Sequence, residues 1–245
     1  QAEGVLIQFG GQTAINVAAE LKEEGIPILG TTLEAIDKLE DRQQFYDLLQ
    51  SLGIPHIAGR TVNHPEELKQ AAQELGFPVL VRPSYVIGGQ AMFIFHQADE
   101  LDSYVQQLEE RRNSKEWPLL IDKYVPGLEC EMDVISDGEE LIIPGIFEHI
   151  EQAGVHSGDS ITIFPSISLS PEIKNRLVDY ARRIALEVPI IGMMNIQFVV
   201  ADDQVYVLEV NPRSSRTVPI MSKVTRIPMV EWGTRVQLGE KLTDL

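Results

Sequence analysis

Apolar residues recur along this chain in two rhythms, every second position in short runs and every third or fourth in longer ones, the spacings of strands and helices. Gly4 to Phe9 reads as a strand running into Gly10-Gly11, "TAINVAAELKEEG" as a helix stopped at Gly25, and "IPILG" as a second short strand. That order predicts a β-α-β piece at the edge of a parallel sheet. Thr31 with Glu34 three residues later is a capping-box pattern. It predicts a helix running on to Gly53 with "LEDRQQF" on its exposed side.

A second unit is expected from near Ile54. "HPEELKQAAQELG" is a helix with Pro65 in its first turn, "FPVLVRPS" a strand, "YVIGGQ" a loop, "AMFIF" a strand and "DELDSYVQQLEERR" a helix. Together they suggest a small α+β lid. The third unit is expected to open with "PLLIDKYV". Strands follow around "ECEMDVI", "LIIPGIF" and "SITIFPS", then a helix from Pro171 to about Glu187. The closing run "GMMNIQFVVADDQVYVLEVNPR" alternates on both sides of Asp202-Asp203, which predicts a hairpin.

Composition narrows the classes. With 245 residues, 44% of them apolar, the chain can build a real core. No apolar stretch reaches the length of a bilayer span, so a soluble protein with no membrane partner is expected. A single cysteine, Cys130, excludes an internal disulfide framework and suits a reducing compartment. The net charge of −17 argues against nucleic acid as a partner, and leaves any phosphate ligand to local cations or metal ions. "GVLIQFG" starts as a strand already in progress, so a fragment of a longer polypeptide is expected.

The hairpin carries the first candidate chemistry. Asn195, Gln197 and Val199 share one strand face; Glu209 and Asn211 share one face of the returning strand. A carboxylate and amide oxygens at a strand end suit magnesium or manganese. An edge hairpin with a solvated polar face would look the same. Arg213 and Arg216 follow at once, and cations beside metal-binding acids suit phosphoryl transfer. A two-residue turn would set Gln197 opposite Leu208 and turn Glu209 away. Sharing a metal requires an odd connection or a bulge, and a three-residue loop from Asp202 to Gln204 is the expectation.

Elsewhere, no P-loop pattern exists. In "VRPSYVIGGQ", Arg82, Ser84 and the glycine amides could close over phosphates, although a glycine pair also makes a plain turn. Arg42 alone is an ordinary solvated helical arginine. "LLIDKYVPGLE" is a strand entering an irregular stretch that could read an adenine edge or merely cross the surface. "EHIEQAGVHSGDS", Glu148 to Ser160, gathers three acidic groups, two histidines and two hydroxyls where little could sit in a core. His156 has no partner nearby in sequence to make it a nucleophile.

Taken together, "EDRQQF", "VRPSYVIGGQAM", "EHIEQAGVHSGDS", "MNIQFVV" and "EVNPRSSRTVP" resemble the ATP-grasp module of the carbamoyl-phosphate synthetase large subunit, in order and spacing and over nearly the whole chain. They resemble its second half, which phosphorylates carbamate. The resemblance implies a mixed α/β and α+β ATP-grasp fold. It divides the chain into the end of a preceding β-α-β domain (1–38), a linker helix and lid with the glycine loop (39–122), and a nucleotide- and metal-binding part (123–245).

It also implies roles. Arg42 and Arg82 would meet nucleotide phosphates; Lys123, Val125 and Glu129 would surround adenine and ribose. Gly154, Val155, His156 and Ser157 would line the nucleotide site, so that the polar segment holds ATP. Gln197, Glu209 and Asn211 would ligate two magnesium or manganese ions, with Arg213 near the transferred phosphate. Family members often carry arginine where this chain has Gln90, which removes a possible phosphate contact. Implied partners are ATP, carbamate and, in the intact enzyme, a glutaminase small subunit and further copies. The implied setting is cytoplasmic, in pyrimidine and arginine biosynthesis. A different ATP-grasp ligase joining a carboxylate to an amine, or a nucleotide-binding module without turnover, would share much of this.

Overall fold

The computed structural model describes residues 3–83, 92–110, 117–155 and 160–245. The expectations for Ser84, the "YVIGGQ" loop, His156 and Ser157 lie outside these residues. Among the described residues, no helix is long and apolar enough to cross a membrane.

The leading segment is less regular than its pattern predicts. In place of two strands, Val5 and Ile28 form a single parallel bridge. The helix after Gly10 splits at Val17 into α1 (Gly11–Asn16) and α2 (Ala18–Glu23). Helices this short are not sustained by their own hydrogen bonds, and here Ile7, Ile15, Ala18 and Ile36 pack into a small core.

The long helix expected after Thr31 is also two. α3 (Leu33–Glu40) starts at Thr32, whose side chain accepts from the Ala35 amide. Thr31, expected as the cap, is instead buried and bonded to Gln8 and Ile191. At Asp41 the backbone turns extended, with ψ 119°, and its carboxylate caps α4 (Arg42–Ser51) by accepting from the Gln44 amide. An aspartate can satisfy the free amides of a new helix, so it interrupts one as readily as it continues one. Of "LEDRQQF", Leu39 and Phe45 are buried, while Glu40, Asp41, Gln43 and Gln44 are exposed as expected.

Four strands make a smaller antiparallel sheet: β1 (Gly59–Val62), β2 (Val79–Pro83), β3 (Phe93–Phe95) and β4 (Leu119–Lys123), in the order β1-β4-β2-β3. α5 (Pro65–Leu75) and α6 (Ala98–Glu110) pack on it through Leu68, Ala71, Ala72, Leu101 and Val105. "PLLIDKYV" thus belongs here and does not open the third unit, because Leu119 and Ile121 complete this core. A strand's own alternation says which face is buried but not which strand lies beside it.

The larger sheet contains β5 (Leu128–Asp137), β6 (Leu141–Ile142), β7 (Phe147–Gln152), β8 (Thr162–Ile163), β9 (Ile191–Ala201) and β10 (Gln204–Asn211). Its order is β10-β9-β5-β7-β8, with β6 beside β5. α7 (Pro171–Glu187), capped by Ser170, packs Ile173, Leu177, Ala181 and Ile184 into the core formed by Cys130, Met132, Val134, Ile196 and Phe198. Each large apolar side chain fully buried there contributes roughly 1.5–3 kcal/mol. The opposite face is divided. α8 (Val218–Thr225) and α9 (Met229–Gln237) cover Ile135 and Met193, while the other end carries Glu129, Glu131 and Asp133.

The hairpin corrects one expectation and keeps another. Gln204 pairs with Ala201, so the turn is the two residues Asp202-Asp203, both with positive φ (48° and 59°), and not a three-residue loop. The register then shifts between Val207 and Glu209, leaving Leu208 as an extra residue. This β-bulge sets Glu209 opposite Gln197 and Asn211 opposite Asn195.

Candidate functional site

A cleft of about 340 Å³ lies between the two sheets. The larger sheet contributes Glu129, Gln197, Val199, Leu208, Glu209 and Asn211; the smaller contributes Leu80, Arg82, Asp122 and Lys123. Arg42 and Tyr46 of α4, Ile57, Met92, Tyr124-Val125, Ala153 to Val155 and Arg213 complete the lining. Arg42, Arg82, Lys123, Val125, Glu129, Gly154, Val155, Gln197, Glu209, Asn211 and Arg213 all line this one cleft, Asn195 and Arg216 are not part of its lining, and Ser84, His156 and Ser157 lie outside the described residues.

Two cations of the cleft share an acid. Arg42 pairs with one oxygen of Asp122, and Arg82 Nε lies 3.8 Å from the other. Arg42 Nε also donates to Tyr46 Oη at 2.9 Å. Burial lowers the Arg42 pKa and the like charge of Arg82 adds to that, while Tyr46 opposes both. An arginine remains charged nonetheless, because its ordinary value is so high. Arg82 Nε is buried without a hydrogen-bond partner among the described residues.

Further along, Lys123 Nζ donates to the Gly76 and Phe77 carbonyls, each at 2.9 Å, and its amide to Ala58. The Tyr124 amide is bonded to Pro78, and its hydroxyl donates to the Ala153 carbonyl at 2.9 Å. Neither backbone group of Val125 has a partner among the described residues. Gly154 has φ 100°, and a Cβ there would come within 3.0 Å of Ile94 and Tyr124, so both conformation and space call for glycine.

The cleft also carries hard oxygen donors. Glu209 Oε1 accepts from Asn211 Nδ2 at 3.0 Å, and Asn211 Oδ1 accepts from Arg213 Nη2 at 3.1 Å. Among the described residues, no group of three or more His, Cys, Asp or Glu could hold a metal ion. Gln197, Glu209 and Asn211 are one carboxylate and two amides. They fit a magnesium-type ion whose remaining ligands are phosphate oxygens, and do not fit an ion caged by protein alone.

Beside Glu129 lies a buried acidic pair, Glu131 and Asp133, that sequence reasoning missed. Asn195 Nδ2 donates to Glu131 and Asp133, both at 3.1 Å; Thr217 Oγ1 donates to Asp133 at 2.6 Å; His149 Nε2 lies 3.4 Å from Glu131. Burial raises the Asp133 pKa against its hydrogen bonds. Burial also acts to raise that of Glu131, but bonds from His149 and Asn195 outweigh it and hold the group below the ordinary value. Glu129 has no such bonds, and burial, opposed by His149, pushes it to about 7. The signal was present in "ECEMD", where acids alternate with core residues in mid-sheet. Asp122, Tyr46 and Gln12 left no comparable mark.

Residues 41–245 match the family described as carbamoyl-phosphate synthase L chain, ATP binding domain. The chain belongs to that family. Residues 1–38 match a second description, the carbamoyl phosphate synthase preATP-grasp domain. Solved structures similar to this L chain family member include the biotin carboxylase domain of the Hydrogenobacter thermophilus 2-oxoglutarate carboxylase in complex with MgADP, ADP and bicarbonate. It is 24% identical with a TM-score of 0.78, over 98% of this chain and 55% of that one. A biotin carboxylase from Campylobacter jejuni, in complex with β-γ-ATP, gives 21% and 0.78 over the same shares. An ADP complex of N5-carboxyaminoimidazole ribonucleotide synthetase gives 20% and 0.67, over 83% of this chain and 52% of that one. These likenesses establish the ATP-grasp fold for this L chain family member, which spans about half the length of those solved chains.

Proposed function

We propose that the cleft binds ATP and that its terminal phosphoryl group passes to carbamate, giving carbamoyl phosphate and ADP. The run Glu209–Asn211–Arg213 supports this reading most directly. A carboxylate, an amide and a guanidinium are joined by bonds of 3.0 and 3.1 Å on the lining of the cleft. The choice of carbamate rests on "EHIEQAGVHSGDS", whose Gly154 and Val155 line the cleft, and on two family descriptions that both name carbamoyl-phosphate synthase.

Charge dictates the mechanism. A carbamate oxygen attacks the terminal phosphorus, the bond to the bridging oxygen breaks, and its electron pair leaves with ADP. Anion meets anion, so repulsion is the first obstacle. Arg42 and Arg82 hold the nucleotide phosphates and Arg213 faces the transferred group, each such contact worth roughly 3 kcal/mol in the transition state. Two magnesium or manganese ions, held by Gln197, Glu209 and Asn211 with phosphate oxygens, would supply further neutralising charge when bound. Val125, whose backbone groups have no partner among the described residues, meets the adenine edge beside Lys123, Glu129 takes the ribose hydroxyls, and Gly154 and Val155 line the nucleotide.

In the intact enzyme this step would follow ammonia delivery from a glutaminase small subunit, in a cytoplasmic oligomer serving pyrimidine or arginine synthesis. The test runs the transfer backwards. With magnesium, ADP and carbamoyl phosphate, the chain is expected to make ATP slowly and independently of glutamine. ATP formed from an amino-acid acyl phosphate but never from carbamoyl phosphate would move the substrate to a carboxylate–amine ligase.

A further inference from the structure

Gln8 is a buried amide in the segment that matches the separate preATP-grasp description. Its Nε2 donates to Thr31 Oγ1 at 2.9 Å and to the Pro212 carbonyl at 3.1 Å; its Oε1 accepts from the Met193 amide at 2.8 Å. Its own carbonyl accepts from the Ser214 amide at 2.9 Å and the Ser214 hydroxyl at 3.0 Å. Pro212 and Ser214 flank Arg213, so one residue grips the chain on both sides of that arginine. The approach is close enough that a Cβ on Gly192 would collide with Gln8 Oε1.

Four residues on, the turn at Gly10-Gly11 (Gly11 φ 63°) brings Gln12 against the guanidinium itself. Gln12 Oε1 accepts from Arg213 Nε at 3.1 Å, and its Nε2 donates to Glu40 at 2.8 Å. Asn211 takes Nη2 from the other side at 3.1 Å, and Ser214 O lies 3.4 Å from Nη1. These bonds leave one N–H on each terminal nitrogen for an anion. An arginine held this way loses little rotamer freedom on meeting a phosphate, which is the gain from preorganisation.

We infer that Gln8 and Gln12 are positioning residues for Arg213, and that the leading segment is a working part of the phosphoryl-transfer site. The inference deepens the function proposed above and rests on Arg213 meeting the terminal phosphate. A double-mutant cycle on the full chain tests it, with magnesium present and calorimetric binding of ADP and of the non-hydrolysable triphosphate AMP-PNP. Gln12 is exposed, so Gln12→Ala should fold normally. It is expected to weaken AMP-PNP about tenfold and ADP less than about twofold, and to add nothing in an Arg213→Ala background. Unchanged AMP-PNP affinity, or losses that multiply in the double variant, would overturn the inference. Binding needs no phosphoryl acceptor. A chain that makes no ATP from carbamoyl phosphate would discard that substrate and leave this cycle readable, whereas one that binds neither nucleotide overturns both.

Discussion

Glu209 lies directly opposite Gln197 in the β9–β10 ladder because Leu208 is an extra residue in the register. The two-residue turn alone would place them on opposite faces. Val205, Val207 and Val210 are all buried in the same core, at spacings of two and then three, and that spacing needs one residue to bulge. The bulge therefore serves packing and site at once, keeping valines inward and delivering Glu209 and Asn211 to the cleft.

Glu209→Gln is expected to abolish magnesium-dependent phosphoryl transfer. The side chain lines the cleft and, among the described residues, bonds only Asn211, so stability should change by less than about 1 kcal/mol. Turnover assays and thermal melts on the same preparation check both halves; a variant with normal turnover removes Glu209 from the metal site.

Glu129 should make stability fall as pH rises. Burial lifts its folded pKa from 4.5 to about 7. Below about pH 4.5 the carboxyl is protonated in both states and costs nothing. Between about 4.5 and 7 the unfolded chain gives up the proton first, so the folded state loses ground, and above 7 the cost is constant at roughly 3–4 kcal/mol at most. Urea unfolding of the wild type and Glu129→Gln should show the variant gaining on the wild type from pH ~5 to pH ~8. A constant difference across that range would contradict the burial effect.

Gln8→Ala strips partners from the Met193 amide and the Pro212 carbonyl, both bonded to the lost amide. A buried group left unsatisfied costs about 1–3 kcal/mol, and a loss in that range is expected from denaturant midpoints at constant m. Thr31 should respond too, since it bonds both Gln8 and Ile191. Its replacement by valine in the Gln8→Ala background should cost less than in the wild type.

Asp203→Gly should stabilise the hairpin. Asp202 and Asp203 both occupy the left-handed region, which costs a side chain roughly 1 kcal/mol and costs glycine almost nothing. The Arg176 guanidinium bonds the Asp203 carbonyl, not its carboxylate, so that contact survives. A thermal midpoint no higher than that of the wild type would count against the turn geometry.

What the sequence determined by itself was local or compositional. Pro65 and Pro171 start α5 and α7 where the pattern put them, because proline at a helix's first position acts within one turn. The alternation on both sides of Asp202-Asp203 made the hairpin legible, and of the two ways to bring Gln197 and Glu209 to one face, an odd connection or a bulge, the register shift at Leu208 supplies the bulge. Tertiary structure decided the rest. Thr31 became a buried hydrogen-bond partner of Gln8 and not a cap, because a cap bond is available to Thr32 as well and only packing chooses between them. "PLLIDKYV" joined the smaller sheet because strand neighbours are set by the shared core of Leu119, Ile121 and Leu68. Gln12 and Arg213 are 201 positions apart, and their bond follows from no pattern in either segment. Periodicity records the face a residue turns inward; which distant residue meets it there is fixed only when the sheets and helices pack.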